Sequence, residues 1–229
     1  MSRRPDLDAL LVPPLRTPGR AAYTAAEWRL IERLRTPRQV QRYLRSLPYN
    51  WEHTLRSFRG SVAVGRAHCL EAVFFAAAIL EHHGYPPTVL DIESDDGLDH
   101  VLFLFREGGK WGTVARSRDF GLHGRPAVFR TIPALVSSYM DPYVDGTGRL
   151  NAWGVAHLDQ LTRADWRLSG KSVRRVERAL IDMPHAPLAM GERRYRRALR
   201  RFQAFKASGR AITRRSQRAL YGEQVDRWW

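Results

Sequence analysis

The run Cys69-Leu70-Glu71-Ala72-Val73-Phe74-Phe75-Ala76-Ala77-Ala78-Ile79-Leu80 limits what this chain can become. It is rich in alanine, the best helix former, and apolar on all sides of a helical wheel. A helix of that kind must be buried at the centre of a fold. It is too short, and too closely flanked by histidines and charges, to span a bilayer. Gly84 followed by Pro86-Pro87 predicts a left-handed C-cap and a stop. The rest of the chain has to wrap this segment. Cys69, the only cysteine, falls in its first turn, where unpaired backbone N–H groups and the positive end of the helix dipole meet. That setting predicts a lowered thiol pKa and donors for an oxyanion. The competing expectation is a buried structural thiol, because free cysteine is among the most buried residue types.

After the helix the pattern changes to strands. Thr88–Ile92 is β-rich, Ser94–Gly97 reads as a turn, and His100-Val101-Leu102-Phe103-Leu104-Phe105 is the strongest strand signal. Gly108-Gly109 occupies a two-residue hairpin position, so Trp111–Ser117 should return antiparallel. In that register Glu107 faces Lys110, Arg106 faces Trp111 and His100 faces Ser117. Residues opposite each other share a face of the sheet, as do residues two apart. If the return strand runs on, Asp119 lies diagonal to His100. Both faces of the first hairpin strand are apolar, so the sheet should be covered on both sides, one of them by the central helix. The expected fold class is α+β: a buried helix with the cysteine at its start, packed on an antiparallel sheet, with N-terminal and C-terminal helices.

Cysteine catalysis requires a base for the thiol proton and a group that orients the base. The order Cys69, His100, then Ser117 or Asp119 supplies these roles. The pieces Cys69-Leu70-Glu71-Ala72, Gly84-Tyr85-Pro86-Pro87, Asp99-His100-Val101-Leu102-Phe103 and Gly109-Lys110-Trp111 resemble the transglutaminase-like superfamily, within the papain-like cysteine fold, in a bacterial-type branch. The resemblance covers roughly residues 50–120. It implies a Cys-His-Asp triad that forms a thioester resolved by water or an amine. The family places its aspartate level with the histidine, where this chain has Ser117. A bulge would let Asp119 serve instead. The expected function is a transglutaminase-like cysteine amide hydrolase or acyltransferase with Cys69, His100, and Asp119 or Ser117. Its substrate would be an amide, in a peptide or protein. The alternative is a catalytically degenerate module that binds nucleic acid or an acidic partner through its basic C-terminal region.

Composition bears on that alternative. The formal charge is +15, carried almost wholly by arginine. Arginine and alanine abundance is also what codon bias in a GC-rich genome produces, so the charge is weak evidence for a nucleic-acid partner. A single cysteine excludes an internal disulfide and suggests a reducing, cytoplasmic setting without a membrane segment. No CxxC or HExxH spacing occurs, so neither a metal nor another cofactor is expected. Residues 1–22 read as an irregular arm and 23–188 as the transglutaminase-like domain with an N-terminal helical cap. Residues 189–229 read as a basic helix and tail. Thr24 with Glu27, and Thr36 with Pro37, mark two helix starts in the cap. Leu150–Leu158 and Val173–Ile181 leave their secondary structure open, and 207–229 is weakly patterned.

Overall fold

The computed structural model describes residues 16–144 and 148–229. The arm expected over residues 1–22 therefore lies mostly outside the described residues. The class is α+β. The helices, in chain order, are α1 (Ala25–Arg33), α2 (Pro37–Ser46), α3 (Phe58–Val64), α4 (Cys69–Leu80), α5 (Ile132–Ser137), α6 (Met140–Tyr143), α7 (Leu158–Leu161), α8 (Arg174–Ile181), α9 (Glu192–Ala207) and α10 (Arg214–Tyr221). The strands are β1 (Thr88–Ser94), β2 (His100–Glu107), β3 (Lys110–Val114), β4 (Arg125–Phe129), β5 (Leu150–His157) and β6 (Ala186–Pro187). They form one antiparallel sheet in the order β4-β3-β2-β1-β5-β6.

Local chemistry explains the element ends. Thr24 and Glu27 close a reciprocal capping box on α1, and Thr36 does the same with Gln39 on α2, where Pro37 sits at the first helical position. Gly84, with φ of 84°, ends the short 3-10 turn after α4 in the left-handed region. Gly108 and Gly109 both have positive φ, as a tight right-twisted hairpin turn requires. Glu107 pairs with Lys110 and Arg106 with Trp111, the register expected from the sequence.

Helix α4 is buried from Leu70 to Leu80. It packs on the sheet face that carries Val89, Val101, Phe103, Phe105 and Val114. The other face presents Leu90, Ile92, Leu102, Leu104 and Trp111 to α5, α6 and the start of α9. Alternation along β2 sends Val101 toward α4 and His100 toward the second core.

The return strand is shorter than expected. Its pairing with β2 ends at Phe103 opposite Val114, so the predicted pair of His100 with Ser117 does not form. The reason is Gln41 on α2. Its Nε2–H donates to the Ala115 carbonyl at 2.9 Å, and its Oε1 accepts from the Ala115 N–H at 2.9 Å. A side-chain amide thus satisfies both backbone groups that a longer ladder would have used. Oε1 also accepts from the Gly124 N–H at 3.1 Å. A Cβ at Gly124 would lie 2.2 Å from that oxygen and 2.3 Å from the Thr113 carbonyl, so this close approach requires glycine. The open regions resolve into strand β5 for Leu150–His157 and helix α8 for Arg174–Ile181, and the weakly patterned tail contains α10.

Candidate functional site

Because β3 stops early, its pairing does not reach the first residues of β2, and the Val101 N–H there is directed at Cys69. The backbone N–H groups of Val101, Leu70 and Cys69 itself point at the sulfur and favour its thiolate. Cys69 keeps some exposure as a residue. Burial of the sulfur nevertheless outweighs those donors and pushes the thiol pKa up, with the nearby Asp91 carboxylate adding to the rise. The lowered pKa expected from the helix start is therefore corrected. Three donors and a half-dipole do not offset desolvation here.

The N-terminus of α4 is also already occupied by a carboxylate. Glu71, fully buried, accepts from the His68 N–H at 3.2 Å, the Arg56 N–H at 2.9 Å and the Asn50 Nδ2–H at 2.9 Å. It ties the loop before α3 to the start of α4. His68 completes that tie with a ring nitrogen 2.8 Å from the Thr54 carbonyl.

His100 sits at the start of β2, buried, with its ring on the second core 6.4 Å from that of Tyr139. Its Nε2 lies 2.8 Å from the Leu122 carbonyl. A carbonyl only accepts, so Nε2 carries the proton and Nδ1 is left with the lone pair. Burial drives the imidazole pKa down to about 4, against a smaller upward pull from the Leu122 carbonyl and the Asp119 charge.

The two candidates for the third position lie close by without touching the ring. Asp119 projects toward solvent and pairs with Arg118 at 3.3 Å. Ser117 is buried, and its hydroxyl accepts the Asp119 N–H at 3.0 Å. The orienting group that both were expected to supply is the Leu122 backbone carbonyl. Asp119 remains within electrostatic reach of His100, and both Asp119 and Cys69 act on the Tyr49 hydroxyl, whose pKa burial raises to about 12. Asp119 is thus an electrostatic neighbour of both His100 and Tyr49, and Cys69 of Tyr49, while α4 and the His100 ring lie on opposite faces of the sheet.

Arg125 holds the loop that carries Leu122. This fully buried guanidinium donates to the carbonyls of His123 and Gly121, each at 2.7 Å. It is sandwiched between Trp228, 3.7 Å from the ring centroid, and Tyr139, at 4.1 Å. Sequence reading missed Arg125, Gln41 and Leu122. The signal available for Arg125 was an arginine opening an apolar β-rich stretch.

A second polar cluster lies on the α4 face. Asp91, opposite Val101 on β1, is buried with Oδ2 3.4 Å from His185 Nε2. His185 Nδ1 lies 3.3 Å from Glu93. The ring lies over Gly154, where a Cβ would come within 2.9 Å of it. Burial opposes charge on His185, but Asp91 and Glu93 prevail and raise its pKa. Among the described residues no group of three or more His, Cys, Asp or Glu side chains is disposed to hold a metal ion, and no helix is long and apolar enough to cross a membrane. No protein-family model matches the chain, and no curated protein is significantly similar to it.

Proposed function

We propose that the protein is a cysteine amide hydrolase or acyltransferase of the transglutaminase-like type, working through a thioester on Cys69. The observations that support this most are the 2.8 Å contact between His100 Nε2 and the Leu122 carbonyl and, separately, a thiol held at a helix start. The first fixes the tautomer in which Nδ1 accepts a proton.

A raised thiol pKa and a lowered imidazole pKa mean that both groups rest neutral near pH 7. The thiol proton therefore moves to His100 Nδ1 as sulfur attacks the amide carbon and the S–C bond forms. Backbone N–H groups of the α4 start and of Val101 are the donors available to the developing oxyanion. As the C–N bond breaks, the proton passes from His100 to the leaving amine. Water or an amine then attacks the thioester, losing its proton to His100, and the thiol is restored. The Leu122 carbonyl takes the orienting role and Asp119 contributes only a distant field.

The arginine face of α9 supports a nucleic-acid or acidic-partner module less. Arg194 is engaged with Asp141 at 2.6 Å and Arg196 with Glu192 at 2.7 Å.

The test is acylation by an activated ester, followed by mass spectrometry of the intact protein. One acyl group should appear on Cys69 and be absent from Cys69→Ser. His100→Asn should slow acylation by roughly a hundredfold or more, the usual worth of a positioned base. Asp119→Asn and Ser117→Ala should stay within about threefold of the parent, since neither side chain touches the ring. The rate should hold as pH falls to about 5 and drop toward 4, where His100 becomes protonated. A thiol that is inert in the native protein and reactive only after denaturation would overturn the proposal.

A further inference from the structure

The apolar stripe of α9 divides. Ala198 is buried in the second core, with Tyr195 and Leu199 packed against it. Phe202 and Phe205, further along the same helix, are only half-buried and face a cavity of about 100 Å³. Ile212, before α10, and Leu220, within it, complete this apolar wall, and Ile212 is 57% exposed. The lining also contains Leu122 and Tyr143. Leu122 is the residue whose carbonyl holds His100. Tyr143 lies close enough to Cys69 for a thiolate to raise its pKa, although burial is the larger cause. Asp96, Arg118 and Asp119 also line the cavity. The cavity is therefore linked to the candidate base through Leu122, although neither Cys69 nor His100 lines it, and the C-terminal helix pair supplies the Phe202, Phe205, Ile212 and Leu220 side.

We propose that this cavity seats a short aliphatic group on the acyl half of the substrate, so that α9 and α10 are its specificity wall. The proposal rests on Cys69 acting as the nucleophile. Size selects the ligand class: the cavity is smaller than the roughly 150 Å³ that takes up benzene, which suits an aliphatic chain of about four carbons and rejects a fused aromatic ring. The Phe202, Phe205, Ile212 and Leu220 side favours an apolar group, since nothing along it would replace the hydration of a charge, while Asp96, Arg118 and Asp119 supply the charged part of the lining. The acyl half is the part that stays on sulfur through both steps, so binding there assists both acylation and release.

The test needs only the thiol. Cys69 is alkylated with iodoacetamide and with its N-ethyl, N-butyl, N-decyl and N-naphthylmethyl derivatives, and each rate is divided by that of a free thiol with the same reagent. The normalised rate should rise about tenfold from iodoacetamide to the butyl reagent, as expected for two or so methylenes leaving water, and fall again for the decyl and naphthylmethyl reagents. Phe205→Trp should move the optimum to ethyl, and Phe205→Ala should move it beyond butyl. Ile212→Ser, at an exposed position, should reduce the butyl preference without endangering the fold. A flat dependence on chain length in a protein whose Cys69 alkylates and acylates as above would overturn the pocket and leave the catalytic reading standing. An optimum unmoved by both Phe205 substitutions would also overturn it. A Cys69 inert to every reagent would overturn both.

Discussion

Two arginines are buried among the described residues, and they are held in opposite ways. Arg167 lies between two carboxylates, donating to Glu81 at 2.8 and 2.6 Å and to Asp159 at 2.6 and 2.9 Å. Burial opposes its charge, but the two acids prevail and drive its pKa up. Arg125 has no ion-pair partner among the described residues. Carbonyl oxygens and two aromatic faces replace its hydration, and burial lowers its pKa to about 10. Charge pairing at Arg167 joins the end of α4 to the segment after β5, a purely architectural task. Carbonyl coordination at Arg125 shapes a loop, since each N–H dictates where a peptide unit must lie. The second solution is the one found beside the candidate site, where the geometry of Leu122 matters more than the strength of the hold.

Removing Arg167 should have the largest effect on stability. Arg167→Leu removes the guanidinium from between the buried Glu81 and Asp159 carboxylates, a change that typically costs about 3–5 kcal/mol. Chemical denaturation should show that loss, while Cys69 acylation in the folded fraction stays near the parent rate. Arg125→Met should reverse the pattern. It strands the Gly121 carbonyl at a cost of about 2–3 kcal/mol, yet it should reduce Cys69 acylation by an order of magnitude or more as Leu122 loses its position. Equal losses of activity in the two variants would break the contrast.

The smallest effect is a pH dependence confined to the Arg125 side. His100 is held at about 4 in the folded protein against 6.5 when free, so the unfolded chain binds its proton first. This contribution is fully present above pH 6.5 and is lost as pH falls toward 4, with about 2 kcal/mol gone by pH 5. His123, lowered to about 3, acts in the same direction. His100→Asn should flatten that part of the stability profile, and an unchanged profile would show that His100 is not buried neutral.

What was legible in the sequence was what repeats or punctuates. The apolar run announced α4, and Gly108-Gly109 gave the hairpin and its register. Two Thr-led capping patterns gave α1 and α2. β4 and α10 lacked such marks: β4 is a short outer strand starting at a buried arginine, and α10 has few apolar residues. Cys69 and His100 could be placed from the order of elements. Their partner could not, because a backbone carbonyl has no signature in the side-chain alphabet. The hairpin arithmetic was sound as far as Phe103 and Val114. It failed beyond them because Gln41, remote in sequence, takes the backbone groups of Ala115. Ending a strand by a side chain from another helix is a tertiary event that periodicity does not encode.

The stacking of Arg125 on Trp228 bears on the order in which the molecule is built. During synthesis, α4 and the β2–β3 hairpin emerge early, and contacts close in sequence form before distant ones. The candidate nucleophile and candidate base are thus present on a nascent chain long before the indole that stacks on Arg125. Until Trp228 docks, the Arg125 guanidinium that holds the Leu122 loop lacks one of its two aromatic faces. If Cys69 is the nucleophile, its full reactivity should then come late, once Trp228 has closed over the Arg125 loop.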